Sequence, residues 1–360
     1  MSKRILRCAD FDRTLLPKGK QPDYLWRIDV MRLRSLCIFL MLCFIAIRAA
    51  SATTYTLPEN PDDTVITQYP DNKAFTHAIR DETLLDIAAR FSLGQTEIVR
   101  LNQKADRWLV KKGEVVRLAN RRILPDTPHR GIVLNLPEYR IYYYPPVNSA
   151  MPAQVWSYAV SIGRQDWKTP LGKTRVSKKV KNPSWYPPES IRREHAAEGR
   201  YLPKMMPPGP YNPMGTHALY LALPGYRIHG SAIDKYYGIG MQVSHGCVRL
   251  YPQDIEALYH SVNMGTPVYI VKQPIKVGWL DNTLYIEAHP DLDGEITTYD
   301  QRYATALRLI KKATKEEMPV FDRKALNQAL LTLDGDPVPI LRMAVSQQMD
   351  DRNAVNLTEP

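Results

Sequence analysis

Cysteine is scarce in this chain and long apolar runs are missing. Of four cysteines in 360 residues, Cys8, Cys37 and Cys43 lie near the N-terminus and only Cys247 lies in the body. A body with one thiol forms no internal disulfide, which excludes a small disulfide-stapled architecture. The longest apolar stretch, Leu36 to Ile47, spans 12 residues, short of the ~20 a helix needs to cross a bilayer. Excess charge is also smaller than it looks. The net charge is +11, but residues 1–52 carry ten Lys and Arg against four Asp and Glu, leaving +5 spread over the rest. No nucleic-acid-binding motif accompanies that charge, so nucleic acid is not read as a partner.

What the N-terminus does contain has the build of an export signal. Arg32 and Arg34 form a basic start, Leu36 to Ile47 the apolar centre, and Ala50-Ser51-Ala52 a small-x-small cleavage site. The expectation is a signal peptide over 31–52. Residues 1–30 are then an extension from a start assigned too early. An uncleaved signal would instead anchor the protein in a membrane.

The body divides by pattern. Over 74–120 the order is β-α-α-β. A strand from Phe75 to Ile79 leads to Asp81, read as an N-cap, and to a helix with Leu84, Ile87, Ala88 and Phe91 on one face. Thr96 is read as the cap of a second helix ending at Asn102, and "VVRLA" is the returning strand. From 130 to 272 short strands alternate with turn signals. "GIVLNLPEYRIYYYPP" and "HALYLALPGYRIHG" read as hairpins, a helix starts near Gln253, and "TPVYIV" is a further strand. A proline-rich connector runs from Asn182 to Gly215. The fold class is α+β, mainly β, with a β-sandwich or barrel-like domain. Residues 273–334 read as a strand-containing extension with helices near Tyr299–Lys315 and Asp322–Leu333, and 335–360 as a flexible polar tail.

The stretch "QVSHGCVRL" carries the chemistry. A nucleophilic cysteine needs a base to form its thiolate and N–H donors for the oxyanion that follows. Gly246 lets the backbone turn so that its N–H and that of Cys247 aim at one point. The base must come from a facing element, and His229 ends a strand at "RIHG" 18 residues before Cys247. Arg249 falls on the same strand face as Cys247 and suits a substrate carboxylate. Two other readings compete on residues alone: a buried, inert cysteine, and a zinc site of His229, His245 and Cys247, which lacks an evident fourth ligand. His77, His129, His195, His217, His260 and His289 are scattered and read as ordinary surface or core residues. No metal site and no cofactor-binding motif is assigned.

His229-Gly230 followed by Ser244-His245-Gly246-Cys247-Val248-Arg249-Leu250 resembles the signature of YkuD-type L,D-transpeptidases. "TPLGKTRV", "NPSWYPPESIR" and "PPGPYNPMGTHALYL" add to the likeness, which is to the exported ErfK/YbiS/YcfS/YnhG group. Residues 74–120 resemble a LysM module through "DETLLDIAARF", Asn102 and "KKGEVVRL", with Glu82 departing from the glycine or aspartate common beside the turn. The resemblance implies that Cys247 is acylated, that His229 is general base and acid, and that the Gly230 carbonyl orients His229. It further implies that Ser244 and His245 shape the site, that Gly246 and Cys247 supply the oxyanion hole, and that Arg249 meets stem-peptide carboxylates. The implied activity is acyl transfer from peptidoglycan tetrapeptide stems in the periplasm, without cofactor. The implied acceptor is a diaminopimelate amine or a lysine of an outer-membrane lipoprotein. A non-catalytic wall-binding protein, and a carboxypeptidase or endopeptidase using the same thiol, are the alternatives.

Overall fold

The computed structural model describes residues 53–68, 74–147, 152–232, 236–315 and 317–343. The expected signal peptide, the segment before it and the last 17 residues of the expected tail lie outside them.

The chain opens with β1 (Thr53–Thr56) and β2 (Val65–Thr67), then forms the small β-α-α-β unit: β3 (Phe75–His77), α1 (Leu84–Arg90), α2 (Gln95–Leu101) and β4 (Val115–Arg117). β3 and β4 pair antiparallel, and Leu84, Ile87, Ala88, Leu93, Ile98 and Val116 form the unit's own core. The helix starts differ from the sequence reading. Thr83, not Asp81, caps α1, in a reciprocal capping box with Asp86. Asp81 instead accepts from the Lys112 N–H at 3.0 Å. Gly94, not Thr96, is the N-cap of α2, and the Thr96 hydroxyl donates to the Gly240 carbonyl at 2.6 Å. In both cases a tertiary partner captured the residue that local preference would have used as a cap.

β5 (Arg121–Ile123) leads into the main domain. β6 (Gly131–Asn135) and β7 (Arg140–Tyr144) form the first expected hairpin, followed by β8 (Gln154–Ala159), β9 (Ile162–Gly163) and β10 (Gly172–Lys181). α3 (Glu189–Ala197) lies within the proline-rich connector. β11 (His217–Leu221) and β12 (Arg227–His229) form the second hairpin, then come β13 (Gln242–Ser244), β14 (Val248–Arg249), α4 (Pro252–Ser261) and β15 (Pro267–Val271). Nine strands make one sheet in the order β1-β8-β7-β6-β15-β10-β11-β12-β14. The sheet curls until its last strand reaches its beginning: Arg249 and Ser161, just past β8, exchange backbone hydrogen bonds of 2.9 and 3.0 Å. The domain is therefore barrel-like. Ile132, Ile141, Leu219, Ile228, Val248, Ile255 and Leu258 fill its interior.

Every residue of β7 is buried. Ile141 and Tyr143 face the interior, whereas Tyr142 and Tyr144 pack outside against Tyr55, Ile66 and Leu124. The sequence extension after β15 forms a second sheet, β16 (Ile275–Leu280), β17 (Thr283–Ala288) and β18 (Val338–Arg342), covered by α5 (Tyr299–Ala313) and α6 (Arg323–Thr332). β18 corrects the expectation of a tail that frays from residue 335. Ile340 is 2% exposed in the core under the two helices, so burial holds the segment down.

A buried ion cluster ties the small unit to the barrel. Glu97 of α2 lies between Arg122 of β5 and Arg140 of β7, the latter at 2.8 Å. Burial alone would raise the Glu97 pKa, but the two guanidinium groups more than offset it and hold the carboxyl below its ordinary value. Glu97→Ala leaves both buried arginines without this partner, which typically costs about 3–5 kcal/mol. Urea unfolding is expected to show that loss, and an unchanged midpoint would mean the cluster does not hold the unit in place.

Candidate active site

The site forms where β12 and β14 run side by side. Parallel pairing sets Ile228 opposite Val248 and His229 opposite Arg249. Residues two apart on a strand share a face, and so do residues paired across a ladder. Arg227, His229, Cys247 and Arg249 therefore look to one side, while Ile228 and Val248, 0% and 1% exposed, look into the core.

Cys247 sits at the mouth of β14, half-buried, with Sγ 3.7 Å from the Gly225 carbonyl. The turn before it is fixed from several directions. Gly246 has φ +95°, and a Cβ there would come within 2.9 Å of the Tyr226 ring, so both conformation and space require glycine. Thr169 accepts from the Gly163 N–H and donates to the Gly246 carbonyl, each at 2.9 Å. The Ser244 hydroxyl donates to the Cys247 carbonyl. Among the described residues neither the Gly246 nor the Cys247 N–H donates to a protein acceptor.

His229 is 3% exposed. Its Nδ1 lies 2.7 Å from the Gly230 carbonyl, which fixes the proton there and leaves Nε2 with its lone pair. Burial, then the charges of Arg249 and Arg227, lower its pKa from 6.5 to about 3, against the pull of the Gly230 and Met214 carbonyls. Arg249 is itself depressed by burial, and among the described residues no carboxylate pairs with it. A guanidinium stays protonated even so, so the site presents a charge without a counter-ion.

His245 points elsewhere. Its Nε2 is 3.0 Å from Glu194 of α3, whose other oxygen meets Arg164 at 2.5 Å, and its ring meets the edge of Trp167 at 5.3 Å. Burial lowers its pKa despite the Glu194 bond. The His229, His245 and Cys247 set is thus not gathered around one point: His245 serves as a post between the turn and α3. Sequence reading missed Glu194, Arg164 and Thr169. The charged run "ESIRREHAA" after Pro187-Pro188 was the one signal that the connector holds a helix.

The profile of the YkuD L,D-transpeptidase catalytic domain matches residues 129–270. From Escherichia coli K12, the protein named "Probable L,D-transpeptidase YbiS" is 35% identical over 80% of this chain and 92% of its own length. YcfS, with the same designation, is 34% identical over 83% and 92%, and ErfK/SrfK 35% over 75% and 84%. The parallel strand pair, the turn before the thiol and this degree of identity across most of both chains agree: the protein belongs to the YkuD-type L,D-transpeptidase family.

Proposed function

We propose that the protein is an L,D-transpeptidase acting on peptidoglycan tetrapeptide stems through a thioester on Cys247. The observation that carries this reading is the shared face of Cys247, His229 and Arg249, set by the β12–β14 register. In this reading Sγ leaves the Gly225 carbonyl for another staggered χ1 well to meet His229. The thiol proton passes to Nε2 of His229 as sulfur bonds the carbonyl carbon of the third stem residue. The Gly246 and Cys247 N–H groups receive the developing oxyanion. On collapse the C–N bond to D-alanine breaks and His229 returns the proton to the leaving amine. An acceptor amine then opens the thioester and sends its own proton back through His229 to the sulfur. Arg249 holds a stem carboxylate, and Ser244 and His245 brace the turn.

Further parts of this reading concern setting. The β-α-α-β unit over 74–120 would bind glycan strands as a LysM-like module. The segment 31–52 would export the chain to the periplasm. Among the described residues no helix is long and apolar enough to cross a membrane. The acceptor would be a diaminopimelate side chain or a lysine of an outer-membrane lipoprotein.

Product analysis by mass spectrometry tests the reaction. Incubation with a disaccharide-tetrapeptide is expected to give cross-linked dimers with loss of D-alanine, and Cys247→Ala none. Tripeptide alone would indicate transfer to water, a carboxypeptidase. No product from folded wild-type protein would leave the wall-binding reading standing. His229→Ala is expected to slow acylation about 10²–10⁴-fold.

The buried His229 also sets a pH profile. With its pKa lowered to about 3, the base stays neutral, and competent, well below 6.5. The acid limb of kcat/KM is therefore expected near the lower value, and a limb at 6.5 would refute the buried-base assignment. In the same window the unfolded chain protonates this histidine first, so its contribution to stability falls as pH drops from 6.5 toward 3.

A further inference from the structure

A second group of ligating side chains lies where α4 packs against the start of β11, on the opposite side of that strand from the face shared with His229 and Cys247. His217 opens β11, and Glu256 and His260 sit one turn apart on the exposed face of α4. Their ligating atoms all lie within 4.8 Å of one another. His217 is 2% exposed and its Nε2 is buried without a hydrogen-bond partner. An orphaned buried ring nitrogen of this kind is uncommon and needs a partner. Its other nitrogen, Nδ1, is 3.0 Å from the Thr216 hydroxyl. With the Nδ1 proton given to that oxygen, Nε2 is left as a lone pair, the tautomer and outer hydrogen bond found for metal-bound imidazoles.

We propose that His217, Glu256 and His260 form a binding site for a divalent transition ion of the zinc class. Two imidazoles and one carboxylate are a sufficient donor set, with water in the fourth position. Donor atoms on such an ion stand about 3.3 Å apart. The closure required is available to Glu256 and His260, which are exposed and free to change rotamer, while His217 stays fixed by the sheet. Lys181, paired with His217 across β10–β11, opposes the ion, and the Glu256 carboxylate offsets it. Among the described residues a further trio of this kind, Glu138, Glu287 and His289, does not compete, because the Lys276 ammonium already lies 2.6 and 2.9 Å from its two carboxylates.

The site joins two elements that frame the catalytic strands. The His217 carbonyl accepts the Gly230 N–H at 3.1 Å, and Gly230 in turn holds the His229 ring. α4 begins three residues after the end of β14. A bound ion clamps α4 to β11 behind this arrangement and acts on it as a structural tie.

The test uses tag-free full-length protein in which Cys8, Cys37, Cys43 and Cys247 are all replaced by alanine, so that no thiol competes for the metal. Co²⁺ absorption and Zn²⁺ competition are expected to report one tightly bound ion per chain and a raised Tm with Zn²⁺. His260→Ala and Glu256→Gln, both at exposed positions, are expected to keep the metal-free Tm and to weaken binding at least about tenfold each. No saturation below about 1 mM, or affinity unchanged in both variants, would overturn the assignment.

Discussion

The chemistry of this protein depends on a ladder only two residues long. β12 and β14 pair at Ile228–Val248 and His229–Arg249, and so short a parallel pair has little stability of its own. Its backing comes from the interior, where Ile228 and Val248 are part of the barrel core with Ile255 and Leu258 of α4. Arg249 contributes a second time, through the backbone bonds to Ser161 that close the sheet. Core packing thus sets the positions of the thiol, the imidazole and the guanidinium. Because the faces alternate along each strand, a one-residue slip would turn the entire set inward.

That rigidity lets the site hold unfavourable electrostatics. His229 is buried between two positive charges and stays neutral. Arg249 is largely withdrawn from water without an anionic partner, at a cost in desolvation. Neither arrangement helps the fold. The unpaired guanidinium suits an anionic ligand, and the lowered pKa keeps the imidazole unprotonated at the expense of its basicity, so a bound anion that offsets the two positive charges would strengthen His229 as a base. His245 shows the contrast. Although it sits in the same motif, its bond to Glu194 and the Arg164 ion pair beyond it make it part of the wall.

Much of this was legible in the sequence because it is local. The two hairpins, the helix after the motif, the pairing of His229 with the "SHGC" turn and the glycine before the thiol all follow from spacing and residue type. The caps of α1 and α2 were misread because Asp81 and Thr96 are bound by Lys112 and Gly240, partners distant in sequence. The run "RIYYY" reads as a hairpin strand, but nothing local shows that an outer layer led by Tyr55 buries its second face as well. β18 looked like a tail because five residues carry little periodicity, and its burial depends on α5 and α6. Glu194 stayed hidden inside a proline-rich segment that no local rule marks as part of the site.

The small N-terminal unit is built into the catalytic domain, and the way it is attached bears on the proposed function. Gln95 donates its N–H to Ile239 at 2.8 Å, Thr96 binds the Gly240 carbonyl, and Gly240 in turn donates to Val160 at 3.0 Å. A Cβ on Gly94 would lie 2.9 Å from the Gly240 Cα, so the two backbones touch. Gly240 stands two residues before β13, which leads directly into the turn before Cys247. A binding module on a flexible linker raises only the local concentration of substrate. The small unit is held without such a linker, through Glu97 and against the loop that enters the active-site turn. If the unit binds glycan as proposed, that rigid junction would present the strand to Cys247 in a fixed orientation.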